Sequence, residues 1–103
     1  MTIRHDVAIA RGLALLDEKV GPGWEQRIDL EKLRLSSCKQ CVVGQLFDEY
    51  DKGADILGFE LGSRYGFDVG MVHAPQTVWS EYQALTRAWK RAIRARRAEA
   101  ARP

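Results

Sequence analysis

The chain has 103 residues, 46% hydrophobic and 29% charged, which is one domain's worth of sequence and enough for one modest core. That balance excludes a disordered chain, and with apolar runs only a few residues long it excludes a membrane-spanning helix. The net charge of +2 is unevenly spread: seven basic residues against Glu99 place +6 on residues 87–103, leaving −4 on residues 1–86.

The first helix is predicted over Ile3 to Val20, where Ile9, Leu13, Leu16 and Val20 recur at helical spacing and so share one face. Arg4, Asp6, Arg11, Asp17 and Glu18 interrupt this stretch, so it does not read as a signal peptide and a cytoplasmic location is expected. Gly21-Pro22-Gly23 ends the helix, as such breakers do. Trp24 to Ile28 is predicted as a short helical turn, and Asp29 as the N-cap of a helix over Leu30 to Leu35, since a short acceptor side chain can satisfy the free N–H groups there.

Ser37-Cys-Lys-Gln40 has the form of a capping box, opening a helix from Cys38 to about Tyr50. Asp51-Lys52-Gly53 is predicted as a turn, followed by short helical pieces over Ala54 to Leu57 and Phe59 to Tyr65. Phe67 to Pro75 lacks a period and is expected to be a surface loop, although Gly70 to Ala74 could be extended. Thr77 is predicted to cap a last helix to about Ala98, roughly 33 Å long at 1.5 Å per residue. The expected fold is all-α: a compact single-domain bundle of four to five helices over residues 1–98, with a basic tail at 99–103. Trp24, Val42, Leu46, Phe47, Tyr82, Leu85 and Trp89 are its expected core.

Cys38 and Cys41 are the residues with chemistry-like spacing. A zinc site would need about four ligands, and His5 and His73 are the available imidazoles, neither in a ligand-spaced pair. A redox role would use the helix dipole to lower the Cys38 thiol pKa, but Cys-x-x-Cys redox motifs sit in a βαβ context that this chain lacks. The competing reading is two small, partly buried hydrophobes, and the expected metal and cofactor content is none. Cys41 falls nearly opposite the apolar arc of Val42, Val43, Leu46, Phe47 and Tyr50, so burial of this helix on two sides is expected. Asp48 to Asp55 fails as a calcium loop: with Gly53 at the sixth position, the third, fifth and twelfth are Tyr50, Lys52 and Phe59, which cannot supply the required carboxylates. No phosphate loop, zincin motif or nucleophile elbow is present, and the chain is expected not to be an enzyme.

On the last helix, Val78, Tyr82, Leu85, Trp89 and Ile93 form the predicted buried face, while Arg87, Lys90, Arg91, Arg94 and Arg97 project oppositely as a basic stripe. Such a stripe can rest on phosphates, dock on an acidic protein surface, including a second copy, or simply be solvated. A helix-turn-helix is not expected, because Gly58 and Gly62 interrupt the would-be recognition helix.

Ser37-Cys-Lys-Gln-Cys41-Val-Val-Gly-Gln-Leu46, with Ile28, Leu30, Leu33 and Leu35 before it and Tyr50, Gly53 and Tyr65-Gly-Phe67 after it, resembles a family of uncharacterised small proteins. These are encoded by actinobacterial phages and prophages, and in them a Cys-(Val/Ile)-Leu-Gly-Gln stretch recurs. The likeness covers about residues 10 to 70, and Val43 stands where the pattern has leucine. It implies a phage-type accessory protein acting inside a bacterial host and transfers no site residue. The expected function is therefore non-enzymatic binding of a host or phage protein, with self-association into a homodimer allowed for. Nucleic-acid binding through the basic helix and a small zinc-stabilised domain are the alternatives.

Overall fold

The computed structural model describes residues 5–69 and 75–102, without the side chains of 75–78. Its elements are α1 (Asp6–Lys19), a first 3-10 turn (Trp24–Arg27), α2 (Val42–Phe47), α3 (Tyr50–Leu57), a second 3-10 turn (Gly62–Tyr65) and α4 (Pro75–Ala100). Among the described residues there is no strand, and no helix is long and apolar enough to cross a membrane. The all-α bundle with a long last helix is the architecture that the periodicity predicts. Helix α4 begins at Pro75, where a fixed φ suits a first helical turn, and continues through Glu99 and Ala100.

Leu85, Trp89 and Ile93 of α4 are wholly buried, and the other elements pack around them. The Trp89 indole stacks on Phe67 at 5.8 Å and 14° and meets Trp24 edge-on at 6.4 Å. Its N–H donates to the Gly66 carbonyl, which settles the polar end of an otherwise apolar ring. Phe67, expected at the start of a surface loop, is instead fully buried. Phe59 and Tyr65 join it in one aromatic cluster, and that burial outweighs the absence of a period. Residues 70–74, where the extended alternative and His73 fall, lie outside the described residues. Of the expected core, Trp24, Val42, Leu46, Leu85 and Trp89 are buried, while Phe47 and Tyr82 are half-buried.

The largest departures lie between residues 29 and 53. No helix forms over Leu30 to Leu35. Asp29 does act as an acceptor, taking the N–H groups of Glu31 and Lys32, but this closes an Asx-type turn that goes no further. Ser37 Oγ likewise accepts from Lys39 and Gln40, yet the helix starts only at Val42, and its cap is Cys41, whose Sγ accepts the Gly44 N–H at 3.2 Å. Asp48, at φ 78°, ends α2. Helix α3 starts two residues later and includes Asp51-Lys52-Gly53, which had read as a turn. The helix expected from Cys38 to Tyr50 shortens to α2, α3 joins the expected turn and the expected 54–57 piece into one helix, and Gly53 allows α3 to lie directly against Val43 and Phe47 of α2.

One ion pair closes the far end of the bundle. Arg96 grips Asp17 through both nitrogens at 2.8 and 3.0 Å, and the Trp24 indole N–H donates to the same carboxylate at 2.9 Å. The Arg96 hydrogen bond holds the Asp17 carboxyl below its ordinary pKa despite the opposing effect of burial. A carboxyl whose pKa is lowered on folding stabilises the native state above its unfolded pKa and loses that contribution as pH falls through the folded value. With both side chains about a third exposed, the contribution is at most about 1 kcal/mol. Asp17→Asn is therefore expected to lower stability by that amount at neutral pH and to leave it nearly unchanged in strong acid, as read from urea midpoints across pH.

Candidate anion-binding groove

The segment from Asp29 to Gln40 has little regular structure, and side chains of its neighbours hold it in place. The Gln45 amide works as a clasp: its oxygen accepts from Asp29 N–H at 2.7 Å, and its nitrogen donates to the carbonyls of Asp29 and Gln40. Thr86 of α4 accepts the Leu35 N–H at 3.0 Å, and Leu33 and Leu35 insert into the core. Arg34 is pinned at both backbone groups, donating to Gln40 and accepting from Ser37. Its side chain is left in solvent.

Between this segment and α4 runs an open groove of about 500 Å³, into which Arg34, Arg87, Lys90, Glu31, Tyr82 and Trp79 project. At 100° per residue Trp79, Gln83, Arg87, Lys90 and Arg94 fall on one flank of α4, and that flank extends roughly 22 Å from Trp79 to Arg94. Trp79 is 65% exposed, whereas Trp24 and Trp89 are buried. The Tyr82 hydroxyl has its pKa pushed up by burial and then by the nearby Asp68 charge. A second depression, about 560 Å³, lies between α1 and α4 and is lined by Ile9, Leu13, Ala88 and Ala92, with Arg87 and Arg91 at its rim.

Of the predicted stripe, Arg87, Arg91 and Arg94 are exposed and Lys90 is half-buried in the groove wall. Arg97 does not project outward with them. Its guanidinium turns inward and donates to the backbone carbonyls of Glu25 and Ile28. Helical periodicity places Arg97 off the apolar face but does not show the segment that packs against that flank of α4; there Arg97 meets the carbonyl end of the first 3-10 turn, where a cation is favoured. Removing it in Arg97→Ala is expected to cost about 1–2 kcal/mol in chemical denaturation, towards the low end for hydrogen bonds from a charged donor. Arg94→Ala should stay within about 0.5 kcal/mol, as surface changes do. Trp79 and Arg34 were not singled out in the sequence. Trp79 could have been, since it sits four and eight residues before Gln83 and Arg87, off the apolar face of α4.

The two cysteines have opposite environments: Cys38 is exposed and Cys41 is buried. Cys38 precedes α2 by a full turn, so it lacks the helix-terminal placement the redox reading needed. Cys41 occupies that place instead, and burial pushes its thiol pKa up, the reverse of what an attacking thiolate requires. His5 Nε2 lies 3.3 Å from Glu81 Oε2 without hydrogen-bond alignment. Among the described residues, no three of His, Cys, Asp or Glu come together in a way that would hold a metal. Compared with family models, curated proteins and solved structures, the chain matches none of them significantly.

Proposed function

We propose that this is a non-enzymatic, phage-type accessory protein that holds an anionic partner in the groove between residues 31–36 and α4. The observation that carries the reading is the clasped segment itself: Gln45 and Thr86 fix its backbone, and its Arg34 lines the same open trough as Arg87 and Lys90 of α4. Positioned cations lose less freedom on binding than a floppy basic tail does. Both partners expected from the sequence, a host or phage protein and a nucleic acid, can present the necessary negative charge. The phage-type assignment is supported by the likeness over residues 10 to 70. The motif residues that carry this likeness serve the scaffold: Cys41 caps α2, Gly44 permits a close backbone approach, and Gln45 is the clasp.

Local charge can be separated from net charge. The triple variant Arg34→Glu, Arg87→Glu and Lys90→Glu is compared on phosphocellulose with Arg11→Glu, Lys19→Glu and Lys52→Glu, which changes three exposed cations elsewhere. At salt near 0.15 M, where charges more than about 8 Å apart are screened, the groove variant is expected to elute far earlier than the distant one. Co-elution of the two would defeat the proposal.

A further inference from the structure

We infer that the occupant of this groove is single-stranded nucleic acid, with a base stacked on the Trp79 indole and the adjoining phosphates on Arg34, Arg87 and Lys90. The inference rests on the anionic-partner reading and adds to it the chemistry of the ligand. A polyanion needs cations alone, but this groove also presents a large flat ring that the core does not use: Trp79 is 65% exposed on the same flank as the cations. Alternating cations and aromatic faces are how sequence-tolerant single-strand sites work, since every base has a π-face. The dimensions agree. A trough of about 500 Å³ falls in the range of small-ligand sites, with room for a base and its sugar-phosphate.

Other occupants fit less well. No strand edge is present among the described residues to pair with an extended peptide, and the lining lacks the continuous apolar floor on which an amphipathic helix docks. Glu31 also lines the groove and disfavours a phosphate placed beside it. Arg94 continues the same flank beyond Lys90, so the strand's path runs along the helix.

The burial of Trp24 and Trp89 makes the test direct, because quenching by a ligand reports on Trp79. The full chain is titrated with an oligothymidylate of about eight nucleotides, a length typical of such sites, and separately with inorganic polyphosphate and polyglutamate. Oligothymidylate is expected to quench the emission, with a log-log salt slope of about −2 for three neutralised phosphates. By isothermal titration calorimetry, which does not depend on the indole, Trp79→Leu should weaken oligothymidylate binding about tenfold and leave polyphosphate binding unchanged. Glu31→Gln should tighten oligothymidylate binding. Circular dichroism shows whether each variant is folded. If polyphosphate binds as tightly as oligothymidylate, or Trp79→Leu weakens neither, the stacking inference is overturned while the anionic groove stands. A clear preference for polyglutamate replaces nucleic acid with an acidic protein segment, and binding of none of the three overturns both.

Discussion

Trp89→Ala is expected to lower stability by about 3–5 kcal/mol, the range for removing a large buried aromatic. Trp89 is the point at which distant parts of the chain meet: it stacks on Phe67, meets Trp24 edge-on, and donates to the Gly66 carbonyl. Truncation leaves a cavity between α4 and the 59–67 aromatics and strips that carbonyl of its partner. Folded domains hold only about 5–15 kcal/mol in reserve, so the variant should unfold at far lower urea. Trp89→Phe separates the contributions, keeping most of the stacking and losing the hydrogen bond, for a cost nearer 1–2 kcal/mol. Far-UV circular dichroism measures both without relying on the missing indole. A loss below about 1 kcal/mol for the alanine variant would contradict this account of the core.

The second large effect has the opposite sign to helix propensity. Alanine is normally better than glycine inside a helix by roughly 0.8–1.0 kcal/mol, and Gly44 is inside α2. A methyl group at this position would collide with the Cys38 carbonyl oxygen and come within 2.8 Å of the Lys39 backbone. Those atoms are main chain and cannot swing aside, so the 38–41 turn would have to move and the Cys41 cap with it. Gly44→Ala is therefore expected to destabilise by about 3 kcal/mol, at or beyond the upper end for overpacking a core. An unchanged or raised urea midpoint would show that the turn does not press on the helix as described.

Much of the fold was legible because helical periodicity dominates it. The spacing of Leu85, Trp89 and Ile93 marks the buried face of α4, and the glycines after Val20 mark the end of α1. Legibility failed where side chains rather than periodicity organise the backbone. Nothing local distinguishes Asp29 as a helix cap from Asp29 as the acceptor of a single turn; the outcome depends on Gln45, sixteen residues away. Cys41 is not a usual cap residue, so a helix start signalled by Ser37 hides the real one. Arg97 shows the same limit on the surface. Helical geometry says which flank it occupies, but only the fold says that main-chain carbonyls lie there. The groove needed both halves, since α4 alone gives a row of cations and the 29–40 segment makes that row one wall of a cleft.

The contrast between the two thiols has a practical consequence. Cys38 lies open to reagents, so alkylation should mark it at once in the native protein, whereas Cys41 can react only when α2 lifts off its first turn. Its labelling rate relative to Cys38 then acts as a clock for local opening. Because the clasped wall of the groove joins the chain just before that cap, the same clock reads how often the cleft loses its shape.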